Sequence, residues 1–150
     1  MLPGTERWYS FEYGNSHFAV LDSNEPFLSG EAQRQWLYDD LMKAENNLFT
    51  FVMCHYPLVS GTANLRRRVG AREVHEKIGH VLEEYGVDVV FNGHDHNYQR
   101  TFLNGVRYVI TGGGGASLYA VRPKWGFAVQ EAVHHWVQVQ VNGPRVKIRA

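Results

Sequence analysis

Hydrophobic and polar positions follow two local rhythms along this 150-residue chain, one of strand type and one of helix type. Residues 7–14 and 17–22 are aromatic and β-branched runs separated by Gly14-Asn15-Ser16, a turn signal that predicts two antiparallel strands. Residues 24–29 read as loop, with Ser29 as the N-cap of a helix over 31–45 that sets Trp36, Leu37, Leu41 and Met42 at helical spacing. Residues 48–54 form an apolar run of strand length. His55-Tyr56-Pro57 ends it, because the residue before a proline is pushed out of helical geometry. Residues 60–70 read as a polar loop, and 71–85 as a second helix burying Val74, Ile78, Val81 and Leu82, with Gly86 as its C-cap. There follow a strand over 87–91, a polar loop from Asn92 to Thr101 and a strand over 106–111. Next come the tract Gly112-Gly113-Gly114-Gly115 and a last hairpin, which pairs 134–141 with 145–149 across Asn142-Gly143.

Strand, helix, strand, helix, strand in the middle of the chain predicts an α/β fold, a mixed β-sheet with flanking helices and antiparallel ribbons at both ends. No repeat or linker divides it, so residues 1–150 are read as one domain. A hydrophobic content of 44% is enough for a core. Fifteen basic against fifteen acidic residues leave no net field to draw the chain to nucleic acid or an anionic membrane. No stretch approaches the roughly 20 apolar residues of a membrane span, and the first seven residues lack the apolar core of an export signal. The chain is therefore expected to be soluble, with its compartment unspecified. Cys54 has no partner for a disulfide and reads as a small buried side chain.

Candidate chemistry gathers at predicted strand ends, where open α/β sheets bind ligands. His55 follows the run Phe51-Val52-Met53-Cys54, and His94 and His96 follow 87–91. Side chains two apart on a strand share a face, so the His-x-His pair can project together. Neutral imidazole is the commonest ligand for Zn, Fe and Mn-type ions. Each histidine alone would more often be a hydrogen-bonded structural residue. Three in Gly- or Pro-marked turns after buried strands tilt the balance toward a metal site.

These residues resemble the calcineurin-like metallophosphoesterases, and within them the purple-acid-phosphatase-like branch. Val52-Met53-Cys54-His55 matches that family's Val-x-x-His motif, and Gly93-His94-Asp95-His96 its later Gly-His-x-His motif, in the same order and spacing. Leu21-Asp22-Ser23, Gln35-Trp36-Leu37, Tyr85-Gly86-Val87-Asp88 and Tyr108-Val109-Ile110-Thr111-Gly112 also look like the family, so the resemblance covers nearly the whole chain. It implies the C-terminal half of an αββα sandwich. It further implies that His55 and His94 bind one metal of a two-metal centre and His96 the other, the ions being Fe, Zn or Mn. Two ions roughly 3.5–4 Å apart would activate water for direct attack on a phosphate ester, with no phosphoenzyme. Asp95 or a backbone carbonyl is expected to orient an imidazole, and Asn97, Tyr98 or Arg100 to reach a substrate oxygen. Arg100 and Asp95 carry bland readings of equal weight, as a surface residue and a loop cap.

The family's upstream motifs, Asp-x-His, Gly-Asp-x-x-Asp/Tyr and Gly-Asn-His-Asp/Glu, are absent. Gly14-Asn15-Ser16-His17 imitates the last of them, but a serine is inserted between Asn15 and His17, and its surroundings match the family segment that follows that motif. With no bridging carboxylate, the chain alone would hold one ion or none. Three readings follow: the C-terminal half of a phosphoesterase that needs its missing half or a second copy, a weak three-His single-metal hydrolase, or a non-catalytic interaction module with a bared sheet face.

Other features rank lower. Arg66-Arg67-Arg68 reads as a solvated charge run rather than a phosphate site. The four glycines lack a following Gly-Lys-Ser/Thr and read as a close-packed turn near the metal site. His75 and His80 fall on different sides of a helix, His134 and His135 on opposite faces of a strand, and Ser60 lacks a nucleophile elbow.

Overall fold

The computed structural model describes residues 6–24, 31–123 and 126–150. Its elements are β1 (Tyr9–Tyr13), β2 (Ser16–Val20), α1 (Glu31–Lys43) with a 3-10 turn Ala44–Asn46, β3 (Phe49–Cys54), α2 (Leu65–Glu84), β4 (Val89–Asn92), β5 (Tyr98–Leu103), β6 (Val106–Thr111), β7 (Phe127–Glu131), β8 (Gln138–Asn142) and β9 (Arg145–Arg149). Seven of the described strands form one sheet in the order β1-β2-β3-β4-β6-β5-β7, and β8 and β9 form a separate ribbon. β2, β3, β4 and β6 run parallel, while β1 and β5 run antiparallel to their neighbours. The mixed α/β sheet expected from the sequence is what the chain forms.

Strand alternation divides the core into two layers. Val52 and Cys54 of β3, Val90 of β4 and Tyr108 of β6 pack under Leu37 and Leu41 of α1 and Ile78, Val81 and Leu82 of α2. Phe51, Val89 and Val109, one residue out of step, face the other way with Tyr98, where Val137, Val146 and Ile148 of the β8–β9 region cover part of the sheet. On that second face Phe11, Phe18, Phe51 and Phe91 stack across β1 to β4, with ring centroids 5.0, 5.0 and 6.4 Å apart. Phe11 remains 42% exposed. Met42, expected on the buried stripe of α1, is 52% exposed, while Leu37 and Leu41 of the same helix are buried in the core.

The second helix begins at Leu65, six residues before the expected start. The Asn64 side chain accepts from the backbone N–H groups of Arg66 and Arg67, so the triple arginine forms the first turn of α2 instead of a loop. At its other end Gly86 (φ +63) closes a Schellman motif, in which Val87 N–H donates to Leu82 and Gly86 N–H to Glu83. The signature loop is also shorter than expected, since residues 98–103 form β5. That strand turns back through Asn104 and Gly105, both at positive φ, as a two-residue hairpin requires. β7 was likewise not foreseen, and residues 134–137 lie outside β8. The last hairpin turns at Gly143 and Pro144, between paired Asn142 and Arg145. The expected cap Ser29 lies outside the described residues.

Candidate metal centre

The parallel pairing of β3 with β4 sets Cys54 opposite Asn92, which brings the two exits of these strands together. Asn92 locks them: its side-chain amide donates to the carbonyls of Cys54 and Tyr56, each at 3.1 Å, and Gly93 N–H donates to the carbonyl of His55 at 3.0 Å. The result is that His55 Nε2 and His94 Nδ1 approach to 3.2 Å, 39 positions apart in sequence. Two nitrogens bound to one ion through bonds of about 2.0–2.1 Å stand roughly 3.0–3.4 Å apart, so this pair has the spacing of two donors on a shared ion. Tyr56 packs its ring against both imidazoles.

His94 adopts φ 61, a left-handed conformation uncommon for residues other than glycine. Hydrogen bonds hold the loop in this shape. Asp95 N–H donates to Gly93 at 2.7 Å, Asn97 N–H to Asp95 at 2.8 Å and Tyr119 N–H to His96 at 2.9 Å. Arg67 donates to the carbonyl of His94 at 3.1 Å. Partial burial, followed by the charge of Arg67, lowers the pKa of His94 below the usual imidazole range, against an opposing pull from Asp95. A neutral ring keeps a lone pair for a metal.

His96 is held separately. Its Nδ1 lies 2.8 Å from the carbonyl of Ser117, and its ring stacks on Tyr119 at 4.2 Å. A carbonyl only accepts, so Nδ1 carries the proton and Nε2 the lone pair, the arrangement commonly seen when a histidine binds metal. Among the described residues no three His, Cys, Asp or Glu side chains converge into a metal-holding group. The histidines fit one edge of a site and one further donor, and a full ligand set needs more.

The remaining expected site residues are placed as follows. Asp95 is fully buried, accepting from Ser60 Oγ at 2.5 Å with Arg67 at 3.5 Å, and among the described residues none of its hydrogen bonds goes to an imidazole. Asn97 is also fully buried, donating to the carbonyl of Tyr119 at 3.1 Å and accepting from Gln99 at 2.8 Å. Arg100 lines a depression with Tyr98, Val129, His134 and Ile148, whose lining includes none of His55, His94 and His96. His134 and His135 both reach Gly113, and a Cβ at Gly113 would stand 2.4 Å from His135 Nδ1. A Cβ at Gly112 would stand 2.2 Å from the carbonyl oxygen of Asp95, so the first half of the glycine tract is close-packed, whereas a Cβ at Gly114 or Gly115 would meet nothing within 4 Å. His17 pairs with Asp40 of α1 at 2.8 Å. Cys54 is buried, which pushes its thiol up to about 12 despite the hydrogen bond from Asn92.

Arg67 escaped the sequence reading. The signal was Asn64 as a helix cap, which moves Arg67 onto the first turn of α2 and points it at the loop. Its guanidinium also lies 4.3 Å above the ring of Tyr119.

Residues 3–98, a span that holds all three histidines, match the family model described as calcineurin-like phosphoesterase. The chain belongs to the calcineurin-like phosphoesterase family. Purple acid phosphatase 15 of Arabidopsis thaliana is 33% identical over 119 residues, 72% of this chain and 22% of that protein. A phosphoenolpyruvate phosphatase of Allium cepa is 33% identical over 110 residues, 71% of this chain and 22% of that protein. The fold is that of a purple acid phosphatase from yellow lupin seeds, with a TM-score of 0.73 at 22% identity over 95% of this chain and 30% of that one. The chain thus spans about a fifth of the length of the curated relatives it matches. Among the described residues no helix is long and apolar enough to cross a membrane.

Proposed function

We propose that this chain is the C-terminal part of a metal-dependent phosphoesterase unit acting on phosphate esters, with residues 1–150 as a partial domain. His55 and His94 would hold one Fe, Zn or Mn ion and His96 a second. The observation that carries the reading is the 3.2 Å approach of His55 Nε2 and His94 Nδ1 at neighbouring parallel strand ends. When bound, such an ion supplies Lewis-acid polarisation of a phosphoryl group and lowers the pKa of a water. The chain's own part is to present neutral imidazoles and hold their loop. Asp95 and Asn97 act as positioning residues, Asp95 through Ser60 and Arg67 and Asn97 through Tyr119 and Gln99.

Turnover on this reading needs carboxylate donors from beyond the described residues, because these form no group of three donors. The missing N-terminal half is the proposed partner, and a second copy the alternative. The partly exposed aromatic row that includes Phe11 and Phe18 is the kind of face a second sheet covers. No role in nucleic-acid or membrane binding is proposed.

The test is zinc binding to the chain by calorimetry, alone and beside His55→Ala and His94→Ala. Binding lost in either variant supports the reading. Zinc affinity unchanged by both substitutions would refute it and favour a non-catalytic interaction module.

A further inference from the structure

A cleft of about 490 Å³ opens directly beside His94, between Tyr56 and Pro57 on one wall and α2 on the other. Arg66, Gly70 and Glu73 line the helical wall, at positions i, i+4 and i+7, so they share one face. Gly70 is its open floor, since a Cβ added there meets nothing within 4 Å. Arg66 is exposed, and its guanidinium has no partner among the described residues. Its neighbour Arg67 is already engaged with His94, Asp95 and Tyr119. The first amides of α2 are satisfied by Asn64, so an anion in this cleft would be recognised by the guanidinium and not by the helix end.

Resting on the phosphoesterase reading, we infer that this cleft receives the leaving group of the substrate and selects esters whose leaving group carries a second anion, bound by Arg66. Three features converge on that class. The cleft shares His94 with the candidate metal site, so a phosphoryl group held at the imidazoles directs its substituent into it. A planar guanidinium binds a carboxylate or phosphate through two parallel hydrogen bonds. Glu73, two turns along, repels an anion from the far end and leaves Arg66 as the place where the charge settles.

The test uses non-hydrolysable ligands, so its readout is binding and not turnover. 3-Phosphonopropionate and 3-methylbutylphosphonate, an isostere that keeps the phosphonate and lacks the carboxylate, are titrated into the chain with excess zinc, following the imidazole NMR signals of His55 and His94. The carboxylate-bearing ligand is expected to bind about tenfold more tightly, the size of one partly exposed charge-assisted hydrogen bond. Arg66→Ala should erase that difference and Arg66→Lys should restore part of it. Gly70→Leu, which fills the floor at a helix position that tolerates leucine, should weaken both ligands. Equal affinities in the unaltered chain, or a preference that survives Arg66→Ala, would overturn this inference while leaving the phosphoesterase reading intact. Absence of any imidazole response to either phosphonate would overturn this inference, while the phosphoesterase reading stands or falls on the zinc titration of the histidine variants.

Discussion

Ser60 and Asp95, 35 positions apart and both buried, are joined by a hydrogen bond of 2.5 Å between Ser60 Oγ and a carboxylate oxygen. This bond ties the chain leaving β3 to the loop leaving β4, the two segments that carry His55 and His94. A buried carboxylate is stable only when its oxygens are hydrogen-bonded or paired, and Arg67 completes the pairing from α2. The imidazole geometry therefore depends on a polar contact well inside the protein.

Removing Asp95 leaves Ser60 and Arg67 facing a cavity. Asp95→Ala is expected to destabilise the chain by about 2–4 kcal/mol, and Ser60→Ala by about 1–3 kcal/mol, because each leaves a buried polar group without its partner. Urea denaturation of the two variants checks this. A loss below about 0.5 kcal/mol in Asp95→Ala would contradict it.

Arg67→Ala should act on the loop more than on the fold. The guanidinium stands 3.5 Å from Asp95, whose carboxylate keeps the bond from Ser60, so losing it costs the fold less than losing Asp95, whereas its bond to the carbonyl of His94 supports the left-handed turn. Zinc affinity measured by calorimetry is expected to fall about 10–100-fold, the usual cost of losing a group that orients a ligand. Arg67→Lys keeps a charge but loses the planar contact with Tyr119, and should fall in between.

Gly112 and Gly114 make a controlled pair. An added methyl group at Gly112 collides with the backbone oxygen of Asp95, which has no freedom to move aside, while one at Gly114 enters open space. Gly112→Ala should cost about 2 kcal/mol or more and shift the amide signals of residues 94–97. Gly114→Ala should stay within about 0.5 kcal/mol of the unaltered chain. Equal effects in the two variants would rule out close packing as the reason for glycine at 112.

Tyr108 sets an alkaline limit. Burial, and after it the charge of Glu83, raises its pKa above the ordinary value of 10.0, and its hydroxyl has no hydrogen-bond partner among the described residues. The folded state keeps the phenol neutral while the unfolded chain ionises it. The stabilisation is therefore fully present below pH 10 and is lost as pH rises from there toward the folded value. Tyr108→Phe should be as stable as the unaltered chain at neutral pH and lose stability less steeply above pH 10. Parallel stability curves for the two proteins would show that Tyr108 ionises freely in the fold.

Much of this architecture was legible because it is written in short-range patterns. The runs at 48–54 and 106–111 are apolar and strand-length, Gly86 follows a helical stripe, and His55, His94 and His96 sit where such runs stop. The misreadings arose where a local signal lost to a longer-range one. Residues 98–103 look polar, with Gln99, Arg100 and Thr101, yet Asn104-Gly105 folds them back on β6. The triple arginine looked solvated because its helical start depended on Asn64 as a cap, and its role depended on a loop 27 residues away.

By itself the sequence determined the three histidines, their order and the strand ends that carry them, because strand and helix periodicity and turn chemistry act over a few residues. Only the tertiary structure decided that His55 and His94 face one another through Nε2 and Nδ1, that His96 stands apart on Tyr119, and that Asp95 turns inward to Ser60. Those outcomes depend on the parallel register of β3 with β4 and on hydrogen bonds spanning 20 to 40 positions. Local patterns carry no record of which distant partner a side chain will meet.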